Sequence, residues 1–149
     1  KSAVRTNADL EKMGVRLESL SVDAACSGNP GDLEYRGVHT RTGDEVFRVG
    51  PMFDGTNNVG EFLALVHGLA WLKKQNSPNV PIYSDSRNAQ SWVKAGVCRT
   101  KMARTALNAE IFQLIERAEK WLATNKITNP ILKWKTEEWG EIPADFGRK

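Results

Sequence analysis

The amino-acid sequence predicts an α/β domain: a five-stranded mixed sheet, its first three strands antiparallel, with helices packed on both faces. Two patterns predict it. Short apolar segments separated by glycine-containing turns fill the first third of the chain, as in an antiparallel meander. Apolar stripes at helical spacing then alternate with short apolar runs, as expected for helices that connect strands. The 149 residues, 40% hydrophobic and 26% charged, suffice for one domain with a substantial core.

The first three strands follow from alternation and turn chemistry. Residues 15–25 indicate a strand with one irregularity, and it ends in "SGNPG", where Pro30 fixes its own φ and forces a turn. Residues 34–40 and 45–49 indicate two further strands. Between them "RTGDE" is a hairpin signal, because Gly43 can adopt a positive φ.

The rest of the sequence alternates helices with strands. An apolar stripe that follows a cap at Thr56 or Asn58 predicts a helix, and "NSPN" ends it. The short apolar run "VPIYSD" predicts a strand ending at Asp85, and Ser86 is a suitable N-cap for a helix that stops before Gly96. The clearest amphipathic helix and the last strand are predicted at residues 107–122 and 131–135.

The composition and the ends of the chain narrow the class of protein. Residues 1–14 are polar with little periodicity, so we expect a tail or the end of a linker before the domain at 15–149. No apolar run reaches 18 residues, so we expect no membrane span. Cys26 and Cys98 lack the spacing of a zinc or disulfide motif, which favours reduced thiols and a cytoplasmic protein. The net charge of +3 favours an anionic partner.

Three carboxylates are predicted to meet at one edge of the sheet. Asp23 lies in the first strand, Asp85 closes the fourth, and Glu61 lies near the start of the helix between them. Ligands gather outside the carboxyl ends of strands in open α/β sheets, so neighbouring first and fourth strands would bring these acids together. Asp145, after the last strand, is a fourth candidate. Taken alone, Glu61 favours a helix-capping role, since it lies three residues after Asn58.

Such a cluster predicts bound cations. Neighbouring carboxylates raise one another's pKa, and a divalent metal ion relieves their repulsion at neutral pH. Oxygen ligands select Mg²⁺ or Mn²⁺ over zinc. Two such ions about 3.5–4 Å apart form a clamp for in-line displacement at phosphorus. We therefore expect two Mg²⁺ ions, with Mn²⁺ as a substitute.

Three segments resemble, in order, the core motifs of ribonuclease H type 1, the bacterial RNase HI-like catalytic domain. They read "SVDAACSGNPG", "TNNVGEFLAL" and "IYSDSRNA". Glu61 follows Asp23 by 38 residues and Asp85 follows Glu61 by 24, and both spacings suit that family. The resemblance implies the RNase H-like fold and an endonuclease that hydrolyses the RNA strand of RNA–DNA hybrids. Two-metal-ion catalysis would leave 3′-hydroxyl and 5′-phosphate ends. For the oligomeric state we expect a monomer, as the default.

The resemblance also assigns roles to individual residues. The family's metal-binding acids match Asp23, Glu61, Asp85 and Asp145. Its substrate contacts match Asn29, Thr56, Asn57, Asn58 and Arg87. An amide carries both a donor and an acceptor, as a sugar hydroxyl requires, and the 2′-hydroxyl is what distinguishes RNA from DNA. Thr56 with Asn29 would match a pocket for a DNA phosphate.

The sequence departs from the family pattern in two places. The loop before the last acid, "KTEEWGEIPAD", contains no histidine, so Glu138 or Glu141 is the candidate for an accessory catalytic role. The basic segment "CRTKMARTA" offers only three cations. We therefore expect weak substrate binding, or help from a separate hybrid-binding domain upstream, which a chain that begins with Lys1 rather than Met allows.

Two alternatives stay open on the sequence alone. A non-catalytic module that binds hybrids would keep the fold and lose an acid, but all four acids are present. Another nuclease of the same fold would act on DNA, and fold alone does not separate the two activities. The asparagines around Asp23 and Glu61 favour recognition of a 2′-hydroxyl.

Overall fold

The structure, a computed structural model, describes residues 5–147. In this part of the chain five strands form one sheet: β1 (Leu20–Cys26), β2 (Gly31–His39), β3 (Glu45–Gly55), β4 (Ile82–Ser84) and β5 (Ile131–Lys133). The helices are α1 (Asn7–Lys12), α2 (Asn57–Lys74), α3 (Arg87–Ala95), α4 (Ala109–Thr124) and α5 (Thr136–Trp139). None of these helices combines the length and the apolarity that crossing a membrane requires. Cys26 and Cys98 are free thiols, as predicted.

The strands run in the order β3-β2-β1-β4-β5. β2 pairs antiparallel with β1 and β3, whereas β4 pairs in parallel with β1 and β5. The predicted five-stranded mixed sheet, with its first three strands antiparallel, is therefore confirmed. Because β1 and β4 are parallel neighbours, their carboxyl ends lie at the same edge of the sheet.

Helices cover both faces of the sheet, which confirms that part of the prediction. On one face α2, α3 and α4 bury an apolar cluster to which the sheet contributes Val22 and α2 contributes Phe62. On the other face α1 and α5 contribute Leu10 and Trp139 to a second cluster, which includes Tyr83 of β4. Alternate residues of a strand face opposite sides, so the short strand β4 serves both clusters.

N-cap hydrogen bonds fix where α2 and α3 begin after β3 and β4. Thr56 is the N-cap of α2, and its hydroxyl accepts a hydrogen bond from the Val59 amide at 3.4 Å. Ser86 caps α3 through the Ala89 amide at 3.0 Å, and Gly96 ends that helix with a φ of 75°. The cap and stop predicted for α3 are confirmed, and of the two candidate caps for α2 the structure selects Thr56.

Where the sequence predicts a polar tail or linker end, residues 7–12 form helix α1. A capping box closes its start, in which the Thr6 hydroxyl and the Asp9 carboxylate each accept the other residue's amide hydrogen. Leu10 is its buried residue and packs into the second cluster. A six-residue helix with one buried apolar side chain is too short to show periodicity. The division of the chain at residue 15 stays a prediction.

The bounds of β1 and β3 differ most from the prediction, while β2 begins at Gly31 rather than residue 34 and β5 ends at Lys133 rather than residue 135. β1 begins at Leu20 rather than at residue 15, because Val15 and Leu17 pack into the second cluster with Tyr83 instead of extending the strand. β3 continues to Gly55, past the predicted end at residue 49. This extension carries the chain directly to the cap of α2.

Helix α2 lies close against the sheet at Gly60. A Cβ built on Gly60 would lie 2.8 Å from the Ala24 Cβ of β1 and 2.4 Å from Cδ1 of the fully buried Leu33. No side chain larger than hydrogen fits there without movement of the helix or the strand. The residues next to this contact along the chain are Glu61 and Asp23.

Replacing Gly60 with alanine should therefore destabilise the protein, although alanine favours helices. Overpacking a core costs about 1–3 kcal/mol, while the gain in helix propensity is at most about 1 kcal/mol. We expect Gly60→Ala to lower the free energy of unfolding measured by urea denaturation. Lys74→Ala, on the exposed surface of the same helix, is the control and should stay within about 0.5 kcal/mol. A Gly60→Ala protein as stable as the wild type would contradict the close packing.

Candidate active site

Three acids from three elements meet at the edge where β1 and β4 end. Asp23 lies in β1, Asp85 directly follows β4, and Glu61 lies in the second turn of α2. One carboxylate oxygen of each lies within 4.8 Å of the others. Asp23 and Glu61 are only 5% and 4% exposed, and Asp85 is half-buried. The structure thus brings together the three acids that the sequence motifs single out.

Asp145 faces the same cavity. It is half-buried and lines a depression of about 560 Å³ together with the three clustered acids, Asn57 and Phe146. Its charge contributes to raising the pKa of Asp23. Asp145 therefore lies at the margin of the cluster, within electrostatic reach of its centre. All four acids assigned from the sequence line one depression.

Burial dominates the electrostatics of this site. It raises the pKa of Asp23 to about 6; a hydrogen bond with Glu61 opposes the rise and the charge of Asp85 adds to it. Burial also holds the pKa of Glu61 well above its usual range, and the charge of Asp23 acts in the same direction. Without a cation, full ionisation of these carboxyls at neutral pH is therefore unfavourable in this buried site.

The donor set fits a divalent cation of the magnesium type. Oε1 of Glu61 is buried and has no hydrogen-bond partner among the described residues, which is a costly state for a carboxylate oxygen. The three clustered acids offer only oxygen ligands, the kind that Mg²⁺ and Mn²⁺ prefer. A cation at this point would bind the unpaired Glu61 oxygen. The same cation would reduce the repulsion between the three carboxylates.

The N-cap of α2 decides whether Glu61 caps the helix or belongs to the acidic cluster. Since Thr56 is the N-cap, the third helical residue is Val59, and it is the Val59 amide that the cap binds. Glu61 is two residues too late for a capping box and points into the cluster instead. The structure therefore excludes the capping role for Glu61 that the sequence left open.

The residues matched to substrate contacts divide between two depressions. Asn57 lines the acidic one, whereas Asn29, Thr56 and Asn58 line a neighbouring depression of about 540 Å³. Arg87 is exposed in the first turn of α3 and lines neither. The start of α2 therefore serves both depressions through consecutive residues.

Part of the basic segment also lines this second depression, which the sequence did not predict. Arg99 and Lys101 lie there with Trp92, so their cations stand beside the asparagines. Arg104 does not: its guanidinium lies 4.2 Å from the centroid of the Phe112 ring and pairs with Glu116 at 3.3 Å. Two cations, rather than three, are placed for an anionic ligand.

Asn108 holds the basic segment in place, and sequence reasoning missed it. Its side chain is 1% exposed and donates hydrogen bonds to the carbonyls of Ala103 at 2.9 Å and Asp54 at 3.2 Å. Thr105 adds a bond from its hydroxyl to the Asp54 carboxylate at 2.9 Å. A residue in front of an amphipathic helix suggests a cap, yet Asn108 makes no capping bond to α4. Its position was visible in the sequence, but its partners were not.

Glu138 and Glu141, the candidates for the accessory catalytic role of the family's loop histidine, lie outside the acidic cluster. Glu138 and Glu141 are exposed, and neither lines the acidic depression. The histidines are also elsewhere: the His67 ring stacks on Phe47 at a centroid distance of 4.0 Å, and His39 packs on Trp71. The accessory role of Glu141 stays a prediction.

A mixed sheet of this order, with an acidic cluster where β1 and β4 end, defines the class of RNase H-like α/β domains. Two solved structures share the fold. RNase H1 of Halobacterium salinarum aligns with a TM-score of 0.50 at 19% identity, over 85% of this chain and 91% of that one. The N-terminal RNase H domain of a Mycobacterium tuberculosis protein gives 0.51 at 17% identity, over 83% and 92%.

The chain belongs to the RNase H family, because the family model described as RNase H matches residues 18–142. Relatives named ribonuclease H support this. The protein of Cupriavidus metallidurans is 32% identical over 66% of this chain and 71% of its own length. That of Acetivibrio thermocellus is 30% identical over 80% and 92%. The family match includes Asp23, Glu61 and Asp85 but ends before Asp145.

Asp23→Asn should stabilise the protein when no divalent metal is bound. The amide removes a buried charge that repels Glu61 and Asp85, and in a domain of this size each kcal/mol relieved raises Tm by about 2–4 °C. Calorimetry in a chelator should show a higher Tm than wild type, and added Mg²⁺ should stabilise the wild type only. Asp44→Asn, at an exposed turn, is the matched control and should respond like wild type. Equal stabilisation of Asp23→Asn by Mg²⁺ would contradict a cation site here.

Proposed function

We propose that this chain is an endonuclease that hydrolyses the RNA strand of RNA–DNA hybrids and leaves 3′-hydroxyl and 5′-phosphate ends. The observation that carries the proposal is the buried cluster of Asp23, Glu61 and Asp85, with an orphaned oxygen on Glu61, in a chain of the RNase H family. Such a cluster is costly to fold and is explained by the cations that it would hold. We further propose a monomer in the cytoplasm.

Four acids would hold two Mg²⁺ ions, with Mn²⁺ able to replace them. Asp23 and Glu61 are fixed by the core, while Asp85 and Asp145 lie nearer to solvent. When bound, divalent ions would neutralise charge at the phosphate and lower the pKa of an attacking water. Because β1, α2 and β4 pack on one core, the positions of Asp23, Glu61 and Asp85 would be set before substrate arrives.

The residues around the acids would select and orient the hybrid. Asn57 lies beside Glu61 and would donate to, and accept from, a sugar hydroxyl near the acids. Asn29 and Thr56, flanked by the cations Arg99 and Lys101, would hold the phosphate backbone of the second strand. The two depressions would thus contact the two strands of one duplex. A separate upstream hybrid-binding domain would add affinity without changing this division.

Cleavage assays decide between this proposal and its alternatives. Labelled RNA–DNA hybrid, double-stranded RNA and double-stranded DNA are each incubated with Mg²⁺ or with a chelator. We expect cleavage of the RNA strand of the hybrid alone, and only with Mg²⁺. Binding of the hybrid without cleavage would support a non-catalytic module, and cleavage of the DNA duplex would support a DNA nuclease.

Asp23→Asn should abolish turnover and leave the fold intact. Since several kcal/mol of charge stabilisation would be lost, we expect kcat to fall by about 10³-fold or more. Binding of the hybrid, measured by fluorescence anisotropy with Ca²⁺ in place of Mg²⁺, should change little. Asp44→Asn again serves as the control. A variant that cuts at more than a tenth of the wild-type rate would refute the assigned role.

Glu141→Gln and Asp145→Asn separate two acids of the same loop. Because Asp145 lines the acidic depression and Glu141 does not, Asp145→Asn should reduce kcat strongly. Glu141→Gln should fall well short of the roughly 10²–10⁴-fold loss of a general acid or base. The measurement is the pH dependence of kcat for both variants. A large loss in Glu141→Gln with one limb of the pH profile missing would establish it as the accessory group.

A further inference from the structure

Arg36 connects the strand beside Asp23 to the backbone at Asp145. It lies on β2, directly opposite Asp23 of β1 in the antiparallel register, and its side chain is 20% exposed. Its Nε donates a hydrogen bond to the Ala144 carbonyl at 2.8 Å, and its Nη2 donates to the Asp145 carbonyl at 2.6 Å. Its Nη1 donates to Glu45 at 3.2 Å, which fixes the guanidinium from the other side.

Asp145 lies in an irregular segment that is held to the fold by several contacts, such as the buried Ile142 side chain in the second cluster. Residues 140–147 form neither helix nor strand. The backbone bond from Asp145 to Ile142 at 2.9 Å and the bond from the Gly147 amide to the Asp145 carboxylate at 2.9 Å are both local. They shape the turn but do not fasten it to the sheet. The two bonds from Arg36 span 108 and 109 residues of sequence and connect the carbonyls of residues 144 and 145 directly to β2.

Arg48 offers a natural comparison within the same patch. The guanidinium carbons of Arg36 and Arg48 lie 5.0 and 5.1 Å from the centroid of the Phe146 ring. Arg48 also forms an ion pair with Glu45, with 3.1 Å between Nε of Arg48 and Oε2 of Glu45. Its hydrogen bonds go to Glu45 and Glu34 rather than to the backbone of residues 144–145. The two arginines thus have the same charge and the same ring, and they differ in the carbonyl contacts.

We propose that Arg36 is a positioning residue that places the Asp145 carboxylate in the acidic centre through the carbonyls of residues 144 and 145. The inference rests on the proposed function in one respect, that Asp145 is a metal ligand. The planar guanidinium donates from three separate nitrogens, here to two adjacent carbonyls and a carboxylate, whereas the compact ammonium of lysine keeps the charge but not this geometry. Groups that orient metal ligands typically change metal affinity or activity about 10–100-fold when they are lost.

Arg36→Lys tests the proposal against Arg48→Lys. The first measurement is a Mn²⁺ titration followed by electron paramagnetic resonance, without nucleic acid. Of the two proposed Mn²⁺ sites, we expect the one that Asp145 contributes to be the weaker. Arg36→Lys should weaken Mn²⁺ binding at that site by about 10-fold or more, and kcat on hybrid should fall in parallel. The Kd for hybrid in Ca²⁺ should stay unchanged, and Arg48→Lys should resemble wild type in all three measurements. Equal behaviour of the two variants would overturn the proposal.

A double-mutant cycle shows whether Arg36 acts through Asp145. In the Asp145→Asn background, Arg36→Lys should cause no further loss of Mn²⁺ affinity, since the ligand it positions is gone. A general structural effect would give the same loss in both backgrounds and would overturn the proposal, as would unaltered Mn²⁺ binding by Asp145→Asn. If Arg36→Lys fails to fold, Arg36→Gln, which keeps one amide donor, takes its place in the cycle.

The two proposals fail in different ways. A wild-type chain that binds Mn²⁺ in an Arg36-dependent manner, yet leaves hybrid uncut, would support the positioning role and refute the nuclease activity. A wild-type chain that cuts hybrid while Arg36→Lys matches Arg48→Lys would refute the positioning role alone.

Discussion

The close contact between α2 and β1 at Gly60 is the constraint on which the acidic site depends. With no side chain at this position, the helix lies against Ala24 and Leu33, and the next residue, Glu61, reaches Asp23. The apolar core that forms around this contact is also what removes both carboxyls from water. Packing energy from the core therefore pays for an electrostatic arrangement that the acids alone would not adopt.

The four acids are held in two different ways. Asp23 and Glu61 are placed by a strand and a helix whose positions the core fixes, and both have raised pKa values because of burial. Asp85 follows a three-residue strand, and Asp145 lies in a segment without regular structure that Arg36 ties to the sheet. The site thus combines a rigid buried half with a more solvent-exposed half, in which long-range hydrogen bonds from Arg36 hold the backbone at Asp145.

The sequence predicted the parts of this arrangement that depend on local chemistry. Turns and caps such as Ser86 are local properties. The acidic cluster was predicted differently, from the rule that ligands gather at strand ends and from the spacing of the family motifs. The alternation at Val15 and Leu17 misled the prediction, because the pattern does not say which apolar cluster a side chain joins. Arg36 and Asn108 were missed for another reason: their bonds cross long stretches of chain or replace the local bond that their position suggests.

Asn57 and Asn58 stand side by side in the first turn of α2 yet open onto different depressions. If each depression receives one strand of a duplex, the first turn of α2 sets the distance between the two contacts, one on each strand. Because the helical turn fixes the separation of the two Cα atoms, a duplex whose groove is much too wide or too narrow would reach one asparagine and miss the other. Discrimination between nucleic-acid helices would then come from the rigidity of one peptide unit as much as from any hydroxyl it contacts.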